Sequence, residues 1–427
     1  MRISVPRGEP DIDLGSVDLF DPETYVSGDP HAVWHVLRRR APVHRQTLPD
    51  GRSFASVTRH ADVSAVLRDH TRFTSRNGTL LSILGSPDPA VDKMMAASDP
   101  PVHSRMRVPM SKALSHTALL AQEPGIRRVA HRLLAPLLDG EPWDLAVAGA
   151  DFPMAFTGAL MGLPEADWPR LTRLTTMAIA PEDPAYHDEA GDGTLAAAHH
   201  ELFEYFAEQC LVPAQRDDLI GFLRQMKIDG RPLRLDELVY NCYSLLLGAN
   251  VTTPHAIAAT VQAFIEHPDQ YRRLTDGADT ATAVEEGLRW ASPANHFMRY
   301  AVADTELSGV PIRAGEAVVA WLGSANRDER VFDDPYRFDV GRTPNRHVAF
   351  GFGPHYCIGA PLARIALRLL FGEIVRLVEE FRPAGTVVHL KSNFVAGIRH
   401  LPVTARLRPG AAPLLAEAVA TAGSLSE

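Results

Sequence analysis

Apolar residues recur at spacings of three and four through most of the chain, and this pattern limits the possible folds more than any other feature. The period runs through residues 59–69, 126–138, 165–179, 195–212, 235–266, 281–290 and 362–381. Each stretch reads as an amphipathic helix that must bury one stripe against its neighbours. Strand signals are fewer. "PVHRQTLPDGRSFASV" predicts a hairpin turning at Pro49-Asp50-Gly51, and "TELSGVPIRAGEAVVAWL" predicts short strands around two glycine turns. "TVVHLKSNFVAGIRHLPVTARL" predicts a closing ribbon. The expected fold class is mainly α with a minor β-sheet region, in one domain over 1–408. The Ala/Gly/Ser-rich stretch 409–427 is expected to be a flexible tail.

No linker, charge block or internal repeat divides the 427 residues. The formal net charge of −9 speaks against general nucleic-acid binding. No apolar run is long enough for a membrane span, and nothing near the start reads as a secretory signal. Cys210, Cys242 and Cys357 are widely spaced with no C-x-x-C, which predicts a reducing, cytoplasmic setting and excludes a four-cysteine zinc site. Three stretches, 77–97, 180–193 and 328–348, are long and aperiodic. Irregular loops of that length tend to serve as lids or cofactor supports.

One cysteine stands apart. "FGFGPHYCIG", residues 350–359, sets Cys357 among glycines just ahead of a helical pattern. A helix N-terminus beside sulfur favours the thiolate, and glycines let main chain approach a flat group closely. Phe350, Gly353, His355, Cys357 and Gly359 fit F-x-x-G-x-[R/H]-x-C-x-G, which resembles the haem-binding loop of the cytochrome P450 superfamily. "DPPVHSRMR" (99–107), "EEGLR" (285–289), "ANRDERVFDDPYRFDVGR" (325–342) and "CIGAPLAR" (357–364) resemble soluble bacterial members and stand in family order.

The resemblance implies a cytochrome P450 fold, with haem b between a long central helix and the cysteine-loop helix. It makes Cys357 the iron ligand and Phe350 the aromatic against the thiolate, with Gly351 also at the cofactor. His103, Arg107, Arg299 and His355 are implied partners of the two propionates. Glu286 and Arg289 are implied to be a buried structural pair, joined by Arg337 with Arg342 as rival. The family's A-G-x-[D/E]-T-[T/S] segment corresponds to "GANVTT" (248–253). There Thr252 takes the oxygen-side position and Val251 replaces the expected acid, which removes a proton relay. Pro254 lacks the N–H that would bond the Asn250 carbonyl, which either nominates Asn250 beside Thr252 as a catalytic group or simply kinks a long helix to fit its neighbours.

Family position also assigns a substrate pocket to Leu80, Leu81, Met94, Ile179, Leu245, Gly248, Ala249, Asn295, Phe297, Phe394 and Val395, with Asn295 or His296 as orienting polar groups. The lining implies an apolar small molecule of bacterial secondary metabolism, free or bound to a carrier protein. No flavin or NAD(P)H domain follows the haem domain, so an iron–sulfur ferredoxin with its reductase is the expected electron donor. Arg105, Lys112, Arg364 and Arg368 could form its docking face. The implied activity is a haem-thiolate monooxygenase acting as a monomer. A peroxide-driven or non-hydroxylating enzyme, or a non-catalytic haem-bound recruitment module, are the rivals.

Overall fold

A computed structural model describes residues 11–115, 119–186, 193–212 and 216–424. Its helices in chain order are α1 (Pro30–Arg40), α2 (His60–Arg68), α3 (Val102–Ala113), α4 (Glu123–Leu134) and α5 (Leu145–Met161). These are followed by α6 (Trp168–Met177), α7 (Gly193–Leu211), α8 (Leu219–Gln225), α9 (Leu235–Asn250) and α10 (Thr253–Glu266). The last are α11 (Pro268–Thr275), α12 (Thr280–Ala291), α13 (Leu322–Ala325), α14 (Ala360–Leu377) and α15 (Ala411–Ser424).

Apolar residues of α4, α5, α9, α10, α12 and α14 meet in one large core. There α10 packs between α5 and α12, and α14 lies on α4. The hydrophobic helix α5 carries apolar residues nearly all round and an internal Pro153, so it shows no stripe. Burial on many sides removes the polar face that a periodic pattern needs, and this explains why the helical spacing misses it.

The predicted hairpin forms β1 (Val43–Thr47) and β2 (Ser53–Val57), paired antiparallel from Val43–Val57 to Thr47–Ser53. Gly51 sits in the turn at φ +86°, a conformation that suits glycine. The hairpin joins a five-stranded sheet whose further members are β3 (Phe73–Thr74), β4 (His296–Ala301) and β5 (Ala317–Trp321), in the order β1-β2-β5-β4-β3. Trp34, Trp321 and Tyr25 anchor a second apolar cluster on this sheet. Both Gly turns before Trp321 are present, with Gly309 at φ +79° and Gly315 at +80°.

Three expectations are corrected. The stretch 409–427 is not a flexible tail over its described part, because α15 buries Ala411 and Leu415 and packs on α4. Its alanines are good helix formers as well as small residues. The periodic stretch 362–381 ends as a helix at Leu377, and Val378–Pro383 continues as a strand. The stretch 235–266 is two helices, because the chain breaks at Val251 and Thr252 before Pro254. No helix among the described residues is long and apolar enough to cross a membrane.

Candidate active site

The cysteine loop is held by its own backbone. The Cys357 N–H donates to the Phe350 carbonyl at 2.8 Å, Gly351 N–H to Val348 at 2.8 Å and Tyr356 N–H to Gly353 at 3.0 Å. Gly351 and Gly353 both adopt φ +72°. A Cβ on Gly353 would meet the Arg68 Cα at 2.6 Å, so this glycine serves packing against α2 rather than a close approach to a cofactor. Gly351 faces more open space, its nearest neighbour being the His355 carbonyl at 3.8 Å. Burial pushes the Cys357 thiol up, while the N–H groups of Gly359 and Ala360 and the charges of Arg107 and Arg364 oppose it. These donors and charges favour the anion that a metal ligand requires.

Phe350 is roofed by the Arg364 guanidinium, 4.6 Å from the ring centroid, and lies 6.0 Å from the Tyr356 ring. Arg364 is itself fixed by two hydrogen bonds to Glu285 (2.7 and 2.8 Å) and one to the Tyr356 hydroxyl (2.9 Å).

Two arginines and two histidines gather beside the loop. His103, on the first turn of α3, is 2% exposed, and neither of its ring nitrogens has a hydrogen-bond partner. Its ring lies 4.3 Å from that of His355, whose Nε2 meets the Ser75 hydroxyl at 3.1 Å. Arg299 on β4 is buried, and its one described hydrogen bond is to the neighbouring Met298 carbonyl. Burial lowers Arg299 to about 10, with Asp99 opposing. Burial and the nearby arginines lower His103 to about 4. Arg107 donates to the Tyr356 carbonyl at 2.5 Å. So many buried donors with so little negative charge suit a dianionic group, which haem propionates supply.

Thr252 and Gly248 lie one turn apart, and the Thr252 hydroxyl donates to the Gly248 carbonyl at 3.1 Å. A Cβ on Gly248 would meet no atom within 4 Å, so the helix surface here is open. Asn250 does not join them. Its Nδ2 donates back to the Leu246 carbonyl at 2.8 Å, and the side chain is 4% exposed, turned toward the buried flank of α9. Two residues are about 200° apart on a helix, so Asn250 does not share a face with Gly248. The Asn250 carbonyl still faces a proline that has no N–H to give.

Val251 packs with Ile179, Ala180, Leu390 and Val395, flanked by Leu247, Tyr186 and Phe394. This apolar cluster unites several pocket segments. Phe297 and Phe394 are half-buried with ring centroids 6.0 Å apart, and Leu80, Met94, Leu245 and Ala249 are also partly exposed. Leu81 is fully buried in the Trp34–Trp321 cluster and does not line the pocket. Asn295 and His296 are corrected as well. Both are fully buried and hold the 393–395 segment: Asn295 Nδ2 donates to the Asn393 carbonyl at 3.2 Å, and His296 Nδ1 meets the same carbonyl at 3.2 Å.

The structural pair takes Arg342 as its third member, not Arg337. Glu286 receives both Arg289 Nε and Nη2 at 2.7 Å, Arg342 Nε at 3.2 Å, Asn345 Nδ2 at 3.1 Å and the Asp339 N–H at 2.9 Å. Arg337 contributes only its carbonyl, to Arg289 and Arg342. The expected basic docking face is thinner than its sequence implies. Arg105 is paired with Asp229 and Arg364 with Glu285, which leaves Lys112 and Arg368 as the exposed cations of this set without a described ion pair.

Sequence reasoning missed Asp183. It accepts from the Lys391 N–H at 2.9 Å and Arg399 Nη1 at 2.7 Å, tying the loop after α6 to the ribbon behind Phe394. Nothing in its local pattern marks it. Residues 187–192 of that loop lie outside the described residues.

The sequence model of the family Cytochrome P450 matches residues 194–382. Cytochrome P450 NovI of Streptomyces niveus is 34% identical over 92% of this chain and 97% of its own. This chain belongs to the cytochrome P450 family. Linalool 8-monooxygenase of Pseudomonas putida is 33% identical over 90% of this chain and 98% of its own length. The crystal structure of P450 OxyD, described as involved in the biosynthesis of vancomycin-type antibiotics, superposes with a TM-score of 0.81. It is 35% identical and covers 92% of this chain and 100% of that one. The protein is therefore a cytochrome P450 of bacterial type, an oxidoreductase of the haem-thiolate monooxygenase class with cysteine-ligated haem iron.

Proposed function

We propose that this cytochrome P450 inserts one oxygen atom into an apolar small molecule of secondary metabolism, with electrons from a ferredoxin and its reductase. The observation that carries the substrate class is the partly exposed apolar set of Leu80, Met94, Leu245, Ala249, Phe297 and Phe394. An uncharged wall favours a substrate oriented by shape, with few polar groups.

When bound, haem supplies dioxygen activation at a thiolate-ligated iron. Cys357 holds the iron, and Phe350 under Arg364 screens the sulfur from water. His103, Arg107, Arg299 and His355 hold the propionates. Thr252 presents its hydroxyl at the break between α9 and α10. Val251 carries no proton, so protons reach the Thr252 Oγ1 from water or from the substrate itself. The Asn250 backbone carbonyl is an acceptor for such a water, whereas the Asn250 amide takes no part. Lys112 and Arg368 are the cations offered to a ferredoxin, and docking is correspondingly salt-sensitive.

An apolar cluster at Val251 also disfavours the peroxide-driven reading, since it gives no cation to anchor a substrate carboxylate. The test is turnover under labelled dioxygen, using compounds first selected by the change they cause in the haem spectrum. One labelled oxygen atom per product, dependent on ferredoxin and reductase, is expected. Product formed with hydrogen peroxide but not with the ferredoxin system would contradict the proposal.

A further inference from the structure

The loop over residues 77–97 is irregular in sequence, yet its last part is built firmly against α9, and the residue that holds it has no role in the site above. Asn241 lies in the second turn of α9 and is 1% exposed. Its Oδ1 accepts from the Met95 N–H at 3.0 Å. Its Nδ2 donates to the Lys93 carbonyl at 2.8 Å and to the Glu237 carbonyl, one turn back on α9, at 2.7 Å. The amide thus meets the loop as a neighbouring strand would, taking from one N–H and giving to one C=O. These partners dictate its orientation, since a flipped amide would set an NH2 against the Met95 N–H. Lys93 adds to the hold, its Nζ 3.4 Å from Asp236 and 5.7 Å from the Tyr240 ring centroid.

Met94 stands between the two clamped residues. Met95 is buried in the main core, and Ser98 Oγ donates to the Met94 carbonyl at 2.7 Å, so the backbone is fixed on both sides. The Met94 side chain is left half-buried. Asn241, Leu245 and Gly248 are spaced i, i+4 and i+7, which puts them on one face of α9. That face runs to the open helix surface at Gly248. Along the helix axis the clamp lies about 10 Å before Gly248. A group seated over Gly248 alone does not reach it, whereas a longer ligand does.

We propose that Asn241 is a positioning residue for substrate selectivity: its buried amide pins residues 93–95 to α9 and so sets Met94 as a fixed wall of the pocket. This rests on the reading of Met94 as a pocket residue. Asn241 makes and breaks no bond to the substrate and acts only through Met94. A wall already in place favours ligands whose far end fits it, because the loop needs no ordering on binding. An apolar side chain of similar size at position 241 would leave the Met95 N–H and the Lys93 carbonyl unpaired in the interior, and the segment would shift to find other partners.

Two azoles that bind haem iron through nitrogen, imidazole and the much larger clotrimazole, are titrated into the full-length holoenzyme and followed by the change in the haem spectrum. Asn241→Leu should change the clotrimazole dissociation constant by about three- to tenfold, the loss of one buried hydrogen bond, and leave that of imidazole alone. Met94→Ala should also change the clotrimazole value. The double variant should change it no further than Met94→Ala does, because Asn241 works through that side chain. An unchanged clotrimazole value in Asn241→Leu, an equal change for imidazole, or additive effects would overturn the proposal while leaving Met94 in the pocket. An unchanged value in Met94→Ala would remove Met94 from the pocket, and the proposal with it. Hydrogen exchange of the wild-type holoenzyme decides the matter where Asn241→Leu fails to fold. The Met95 amide should exchange as slowly as the buried amides of α9, and rapid exchange would overturn the clamp.

Discussion

Arg299 carries its charge into the interior with one neighbouring backbone carbonyl as its described acceptor, and His103 leaves two ring nitrogens unpartnered beside it. Arg299→Leu should therefore weaken haem retention, read as faster loss of haem to an excess of apomyoglobin. Unchanged transfer would remove Arg299 from the propionate site. Val251 makes the opposite case. Val251→Asp would bury a carboxyl among Ile179, Leu390 and Val395, and should cost about 1–3 kcal/mol in denaturant unfolding. It should also change the ratio of product to NAD(P)H consumed. Thr252→Ala should divert reducing equivalents to peroxide, measured as the same ratio. The family resemblance singled out Cys357, His103, Arg299 and His355, and the structure brings the last three together in one buried cluster. The roles of Asn250, Asn295, His296 and Leu81 were not legible in the sequence. Spacing tells which residues are near a site but not which way a side chain turns, and all four turn toward buried neighbours.

Among elements, the buried Glu286–Arg289 pair does for the 326–345 loop what a sheet edge does elsewhere. Arg289 donates to the carbonyls of Asn326 and Pro335 at 2.9 and 2.8 Å, so the loop is pinned to α12 at several points. Glu286→Gln should destabilise the protein by about 3–5 kcal/mol, because it strands a buried guanidinium. Arg342→Ala should destabilise more than Arg337→Ala, a ranking that thermal unfolding of the two variants checks. The i, i+3 spacing put Glu286 and Arg289 on one face, and the family resemblance made them a buried pair. The choice between Arg337 and Arg342 turns on loop geometry that has no period. Asp183 latches the loop after α6 to the ribbon at Lys391 and Arg399. Asp183→Ala should speed azole binding to the haem iron in stopped flow. An unchanged rate would mean that the latch does not limit access.

At the scale of the whole molecule, stability should decline on the acid side in two stages. Burial lowers His255 and His296 from an ordinary 6.5 to about 4. The unfolded chain thus takes up protons first, and stability is lost as pH falls from 6.5 toward 4. Glu285 acts in the same sense at lower pH, for a different cause. Burial alone would raise it, but Arg364 and His347 bring it down from 4.5 to about 2. Its contribution is complete above 4.5 and disappears as pH falls through 2. Unfolding free energy against pH should show both windows, and Glu285→Gln should flatten the lower one. The helical class, the hairpin and the glycine turns followed from period and turn residues. Helices α5 and α15 did not, the first buried on many sides and the second rich in small residues. The central claim is that Cys357 binds haem iron as a thiolate, and the reduced carbon monoxide difference spectrum of the holoenzyme tests it most directly. The account predicts the red-shifted Soret band of a thiolate-ligated carbonyl complex, lost in Cys357→His although haem is retained. A wild-type spectrum of the imidazole-ligated kind, or a thiolate band that survives Cys357→His, would contradict it.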